Sequence, residues 1–350
     1  MINFLHIVIF GLIFFTCPDA NAQNRNSSQP QLFDISRPTL FNLPIDCTIG
    51  KDCWVMNYVD MGINDDKRTD PACYNRTYNN HKGTDFAILD GKTMEKGVHV
   101  TAPMDGTVTK IRDGEEDLWA TKEQLDKIRA NRKECGNVVL IDHGDGLETI
   151  YCHMKKNSIT VKPNQKVKIG DKIGEVGLSG LTEFPHLHFG ILKDKKIIDP
   201  FTGQNNHKKC GKKIKSLWHR DTNLQYQPMI IQSIGFANDI PDLNKLERDN
   251  DQKDTLPLDI NAFTFWTILL GVRDGDKITL EITDPNGKIF AENEIIQEKK
   301  RARQFYFIGK NLKNKKLIEG AYTGFIKIER QLNNGKTVTK DKIKSILITR

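Results

Sequence analysis

The sequence predicts a mainly β protein of two domains. Three observations carry that reading. Short runs of β-branched and aromatic residues recur from residue 81 onward, Gly-containing turn signals separate them, and a single stretch, 117–133, has a strongly helical composition. The length of 350 residues, with 38 % apolar and 28 % charged side chains, suits a soluble chain with two cores.

The first 22 residues stand apart. Residues 4–15 are apolar except for His6 and Gly11, a run too short for the roughly 20 residues of a membrane-spanning helix. Ala20-Asn21-Ala22 then reads as an A-x-A cleavage site, so residues 1–22 are expected to be a secretory signal peptide. The n-region, Met-Ile-Asn, lacks Lys and Arg, and Phe15-Thr16 before Cys17 does not match a lipidation signal. No integral membrane segment is expected after signal removal, which directs the chain to the periplasm or the medium. Cys47, Cys53, Cys73, Cys135, Cys152 and Cys210 remain, an even set that in an oxidising compartment predicts disulfides. Cys47–Cys53, around Gly50, and Cys135–Cys152, flanking a hairpin, are the favoured pairs. None has the C-x-x-C spacing of a cysteine zinc site.

Residues 23–45, rich in Asn, Gln, Ser and Pro, predict a disordered lead-in. A first domain is expected over 46–201, opening with an irregular arm at 46–79. Strands are expected at 98–100 and 107–111 around the turn Pro103-Met104-Asp105-Gly106. Others fall at 138–141 and 149–151 around His143-Gly144-Asp145-Gly146, then at 172–177 and 186–192. Many short strands with frequent Gly suggest a small antiparallel barrel or sandwich. The stretch 117–133 lies between strands and reads as a helical insertion. Residues 202–227, carrying Lys208, Lys209, Lys212, Lys213 and Lys215, read as a solvated basic linker. Beyond it, Ile278, Leu280 and Ile282 alternate with polar residues, Asp274-Gly275, Asn286-Gly287 and Asn334-Gly335 mark turns, and 305–308 and 322–328 supply further strands. About seven short strands over 228–350 fit an immunoglobulin-like β-sandwich as an accessory domain. The formal charge of +7 rises by one when Asp19 leaves with the signal. Such a surface suits an anionic polymer, and charge alone does not choose among nucleic acid, anionic lipid and an acidic cell wall.

Chemistry concentrates in three histidine clusters. In a strand, residues four apart share a face, so His81 and Asp85 of His81-Lys82-Gly83-Thr84-Asp85 can converge on one ion. His186 and His188, two apart, again share a face. A catalytic zinc wants three N/O protein ligands and an open position, and His81, Asp85 and one of the last pair supply three. Tyr151-Cys152-His153 places Tyr151 and His153 on a common face. His99, His143, His207 and His219 occur singly and are read as structural or surface residues.

These segments resemble the lysostaphin-type zinc endopeptidases. The resemblance rests on His81-Lys82-Gly83-Thr84-Asp85-Phe86-Ala87, Val100-Thr101-Ala102-Pro103-Met104-Asp105-Gly106-Thr107-Val108 and Gly136-Asn137-Val138-Val139-Leu140-Ile141-Asp142-His143-Gly144. Tyr151-Cys152-His153 and Gly174-Glu175-Val176-Gly177-Leu178-Ser179-Gly180, running into Pro185-His186-Leu187-His188-Phe189, complete it over roughly 79–201. It implies an antiparallel β catalytic domain with a substrate groove and one Zn²⁺ per chain, held by His81, Asp85 and His188. It also implies catalytic roles for His153 and His186: His186 as general base, His153 as oxyanion stabiliser or proton donor to the leaving amine. Tyr74 or Tyr78 is a further candidate for holding the oxyanion. The implied substrate is peptidoglycan, cleaved at peptide bonds of stem peptides or cross-links, with no nucleic-acid partner. A wall-binding relative without catalysis and a zinc peptidase of protein substrates are the alternatives. The segment 88–97 is longer than the family's usual loop, the 117–133 insertion is extra, and the arm and the C-terminal domain lie outside the resemblance. The C-terminal domain carries no convergent His, Asp or Glu cluster and is expected to bind wall or a protein partner.

Overall fold

The computed structural model describes residues 41–350, except 63–67, 208–209, 212–214, 223, 251, 314–315 and 333–334. The expected signal peptide (1–22), the lead-in as far as residue 40, Lys208, Lys209, Lys212, Lys213 and Asn334 lie outside the described residues. Among those described, strands dominate and the α-helices are three and short.

The N-terminal half is built on one eight-stranded antiparallel sheet. In chain order its elements are β1 (Cys53–Asn57), β2 (Thr84–Ile88), α1 (Gly91–Lys96), β3 (His99–Thr101), β4 (Gly106–Arg112), α2 (Lys122–Ala130), β5 (Asn137–Asp142), β6 (Leu147–Met154), β7 (Lys166–Val167), β8 (Lys172–Glu175), β9 (His186–Lys193) and β10 (Lys196–Ile198). The sheet order is β1-β2-β9-β6-β5-β4-β7, with β10 also paired to β9, and β3 pairs β8 in a separate ribbon. The 98–100 and 107–111 strands expected around Pro103 therefore do not pair with each other. Pro103 has no N–H to donate, and the chain crosses there from the ribbon to the sheet. The hairpin at His143 does form, as β5–β6. Within the expected insertion, α2 starts at a reciprocal capping box between Thr121 and Gln124, and none of its residues is buried.

Two flanking segments depart from expectation. The arm contributes an edge strand, β1, paired with β2 (Val55 opposite Phe86, Asn57 opposite Asp85, with a register shift between Val55 and Asn57). Residues 41–45, assigned to the lead-in, are packed: Phe41 and Ile45 are buried in the core with Val139, Ile141, Leu187 and Phe189. Their alternating apolar residues, Phe41, Leu43 and Ile45, separate them from the polar stretch before. The connector 202–227 also packs, sending Trp218 and Leu224 into the same core. Disulfides join Cys47–Cys53, Cys73–Cys210 and Cys135–Cys152, including both favoured pairs. Cys73–Cys210 ties the connector to the arm across 137 residues.

The C-terminal half comprises β11 (Ile230–Ala237), α3 (Leu243–Arg248), β12 (Thr255–Pro257), β13 (Ala262–Val272), β14 (Lys277–Thr283), β15 (Ile289–Ile296), β16 (Arg301–Asn311), β17 (Gly320–Gln331) and β18 (Thr337–Thr349). Two sheets, β11-β13-β16 and β12-β18-β17-β14-β15, face each other over a core that includes Phe263, Phe265, Ile278, Leu280, Ile282, Ile326 and Ile328. Strand β13, AFTFWTILLGV, is buried along its whole length. An apolar run without alternation needs cover on both faces. Its inward residues fill the sandwich, and Trp266, Ile268 and Leu270 on the other face pack against Trp54, Met56 and Ala87 of β1 and β2. Arg76, 1 % exposed, bridges the halves by donating to the carbonyls of Val55, Met56 and Gln227. All described residues belong to one compact unit.

Candidate metal centre

Three ligand atoms converge at the junction of β2 and β9. His81 Nε2 lies 3.0 Å from Asp85 Oδ1 and 3.1 Å from His188 Nδ1, and Asp85 Oδ1 lies 2.8 Å from His188 Nδ1. Asp85 and His188 are direct cross-strand partners, so the sheet register fixes that pair. His81 reaches it differently from the strand alternation expected. It precedes β2, and the turn His81-Lys82-Gly83 folds its ring back over Asp85. Gly83 makes that turn possible, because a Cβ there would stand 2.5 Å from the Phe189 carbonyl oxygen and 2.7 Å from His188 Nε2.

The surrounding bonds set the chemistry of these atoms. His81 Nδ1 donates to the Tyr58 carbonyl at 2.6 Å, so in the neutral ring Nε2 carries a lone pair aimed at a carboxylate oxygen. The other Asp85 oxygen accepts from Asn57 Nδ2 at 2.9 Å. Burial alone pushes the Asp85 carboxyl up, but the His81, His186 and His188 rings around it outweigh this and hold it well below the usual range. Two imidazoles and one carboxylate with mutually facing acceptor atoms are satisfied together by a shared cation. The outer bonds from Tyr58 and Asn57 are the supports that metal ligands take. His81, Asp85 and His188 thus fit a metal ion of zinc-like preference. The trio of Cys47, Asp52 and Cys53 also falls within metal-ligand distance, but its sulfurs are joined in a disulfide.

Two more histidines line the centre, with rings 4.7 Å apart. His186 Nδ1 bonds to the Phe184 carbonyl (2.9 Å) and Thr182 Oγ1 (3.1 Å), leaving Nε2 3.6 Å from Asp85 Oδ1. His153 Nδ1 donates to the Ser179 carbonyl at 2.8 Å. In both rings a carbonyl acceptor places the proton on Nδ1 and frees Nε2. Burial, and for His153 the nearby His186 and His188 rings, lowers the basicity of both; the Asp85 charge opposes this at His186 without reversing it. Neutral rings are available to take up a proton.

His153 and Tyr151 do not share a face as the spacing predicts. Tyr151 pairs with Phe189 and is buried in the core, whereas His153 adopts φ 60°, a left-handed conformation uncommon for a non-glycine residue. That twist swings the ring to the metal side. It is held by the His153 N–H to the Cys135 carbonyl and by the neighbouring Cys135–Cys152 disulfide. Gly180, at φ 84°, lets the Ser179 turn approach the Gly136 backbone, where a Cβ would meet its nitrogen at 2.4 Å. Asn137 and Ser179 then lock together through Asn137 N–H to Ser179 Oγ at 2.9 Å.

Tyr78 stands beside the centre, half exposed, with its ring 4.3 Å from His81. Tyr74 stacks on Tyr226 instead. Of the single histidines, His143 bonds to the Asp105 carbonyl and Thr149 Oγ1, both at 2.8 Å, tying down its turn. His99, His207 and His219 join no described cluster with the centre. Sequence reading missed Asn57, Tyr58, Thr182 and Phe184, the outer supports. Asn57 and Tyr58 act from the arm through one side-chain amide and one backbone carbonyl, which leave no pattern in the sequence.

The segment that holds this centre has relatives among known proteins. Residues 79–200 match the model of peptidase family M23. The peptidoglycan DD-endopeptidase ShyA of Vibrio cholerae is 35 % identical over 112 residues, 32 % of this chain and 20 % of that protein. Stage II sporulation protein Q of Bacillus subtilis is 32 % identical over 145 residues, 41 % of this chain and 43 % of that protein. This chain thus spans less than half the length of either relative. Among solved structures, the catalytic domain of the antimicrobial peptidase lysostaphin from Staphylococcus simulans aligns at 23 % identity and a TM-score of 0.26, covering 41 % of this chain and 96 % of that one. Residues 79–200 of this chain are a domain of peptidase family M23, the lysostaphin type.

Proposed function

We propose that the protein is a zinc-dependent endopeptidase that hydrolyses peptide bonds in the stem peptides or cross-links of peptidoglycan. The observation that carries this reading is the convergence of His81, Asp85 and His188 beside two neutral histidines whose Nε2 atoms are free. The relatives named as peptidoglycan endopeptidases support the substrate class. Bound there, zinc supplies a Lewis acid that polarises the scissile carbonyl and brings the pKa of the attacking water toward about 7. The free Nε2 of His186, close to Asp85, would accept the proton of the attacking water. His153 would act only after taking up a proton at its own free Nε2, which it could then share with the oxyanion or pass to the leaving amine. Tyr78, whose ring lies 4.3 Å from that of His81, is a candidate to add a hydrogen bond to the oxyanion.

Three disulfides and the leader-like residues 1–22 support export to the cell envelope, periplasmic or outside. No helix among the described residues is long and apolar enough to cross a membrane. The sheet orders β11-β13-β16 and β12-β18-β17-β14-β15 support an immunoglobulin-like sandwich, with β11, β13 and β16 as strands A, B and E and β18, β17 and β14 as G, F and C. Binding of the wall or a partner protein is its proposed role. The deciding experiment pairs metal analysis with mass spectrometry of fragments released from purified peptidoglycan. The wild-type chain should hold one zinc and release peptide-cleaved muropeptides, and Asp85→Ala should lose both. Stoichiometric zinc in D85A would overturn the ligand assignment, and a wild-type chain that cleaves a protein gel but not wall would overturn the substrate.

A further inference from the structure

We infer that Arg303, on the C-terminal sandwich, is a positioning residue for His186. The inference rests on the hydrolytic reading above for its kinetic consequence and on geometry alone for its placement. Arg303 is the cross-strand partner of Leu270 and so lies on the face of β16 that meets the N-terminal half. Its guanidinium sits over the Phe184 ring, 5.5 Å from the centroid, and forms an ion pair with Glu247 of α3. Both charged side chains are largely buried, at 21 % and 10 % exposure. Phe184 in turn controls His186 twice: the two rings pack at a tilt of 31° with centroids 4.7 Å apart, and the Phe184 carbonyl takes the His186 Nδ1 proton. That second contact keeps the Nε2 lone pair on the metal side.

Phe184 also packs at the edge of the apolar cluster of Trp54, Met56, Ala87 and Ile268. A small cavity lies between the halves, lined by Met56, Phe184, Pro185, Glu247, Ile268 and Arg303, so the turn 182–185 is not braced by close packing all round. The Arg303–Glu247 pair spans this gap. A planar cation over the ring, held in place by a buried carboxylate, fixes the height and tilt of Phe184. Without it, the turn can settle into the cavity, and its carbonyl moves with it. A misplacement of about 1 Å in a reacting group costs up to about 10²-fold in rate. Thus the half of the chain without catalytic groups would set the orientation of one of them.

The test is Arg303→Ala in the full chain, with Phe184→Leu as a second variant that keeps the apolar bulk but removes the ring face. Nitrogen-15 NMR of the histidine rings should show His186 protonated at Nδ1 in the wild type and a mixture of tautomers in both variants. On a short soluble cross-linked muropeptide, kcat should fall about 10- to 100-fold with KM and zinc content unchanged. Arg303→Lys, which keeps the charge but not the planar stack, should recover only part of the loss. Wild-type kcat and an unchanged His186 tautomer in both variants would overturn the inference. A wild-type chain without hydrolytic activity would defeat the functional reading instead, while the tautomer would still judge the role of Arg303.

Discussion

Truncating Trp266 tests whether the two halves are one folding unit. Trp266 is 1 % exposed at the centre of β13, on the face shared with Trp54, Met56, Ala87, Ile230, Ile268 and Leu270. Trp266→Ala removes a large ring from a core that both halves build, and a Trp-to-Ala change in such a site costs about 3–5 kcal/mol. Against a total stability of about 5–15 kcal/mol, that is a large fraction. At about 2 °C per kcal/mol for a unit of this size, the melting temperature should fall by roughly 6–10 °C. The assay is calorimetry of the zinc-loaded chain with a chromogenic chelator reporting metal release along the same ramp. Because the lost contacts join β13 to β1 and β2, a single transition should move and metal release should move with it. If the C-terminal half melted early and alone while zinc release stayed at the wild-type temperature, the shared core would not couple the halves. The same reasoning says that truncation near residue 227, which strips the cover from Trp54 and Met56, should yield an aggregating fragment rather than an independent enzyme.

Three further outcomes follow from the site. Gly83→Ala sets a Cβ 2.5 Å from the Phe189 carbonyl and 2.7 Å from His188 Nε2; zinc affinity by chelator competition should drop about 10–100-fold, and unchanged affinity would remove the steric account of Gly83. His153→Ala and His186→Ala should keep their zinc and lose about 10²–10⁴-fold in turnover, and zinc loss in either would make it a ligand rather than a proton-transfer group. In the zinc-free chain, His153 and His186 have folded pKa values lowered from 6.5, so the unfolded chain binds more protons as pH falls through that value. Asp85, held low, loses its contribution only further into acid. Stability to urea should therefore decline steadily below about pH 6.5, and a flat profile from pH 7 to 5 would contradict the buried, neutral assignment of the two rings.

The sequence made the convergence of His81, Asp85 and His188 legible because motif spacing and strand pairing cooperate: Asp85 and His188 oppose each other across β2 and β9. What spacing could not reveal were departures from strand regularity. Period-two reasoning puts His153 with Tyr151, but a left-handed residue at His153 separates them, and nothing local in Tyr-Cys-His announces positive φ. The arm was read as irregular because Gly, Asp, Asn and Pro are scattered through it, yet Trp54, Val55, Met56 and Asn57 lie in an edge strand, and Asn57 and the following Tyr58 hold Asp85 and His81. The connector looked solvated by its lysines, while the residues that anchor it, Cys210, Trp218 and Leu224, are few and spaced out.

One signal was present and its meaning was structural rather than chemical. The run 262–272 is apolar on both faces, and a sandwich strand exposed to solvent on its outer side alternates instead. A doubly apolar β13 therefore requires a second layer, and the N-terminal half is that layer. Once the halves share Trp266 and Trp54, the absence of catalytic groups after residue 228 no longer separates the C-terminal half from the chemistry. Contacts that reach the His186 turn through Phe184 include the Arg303 guanidinium over its ring and the Arg303–Glu247 pair, both on that half. A role in binding wall or a partner would then be transmitted to the catalytic centre through the same rigid contact, since anything that shifts β16 shifts the support of Phe184.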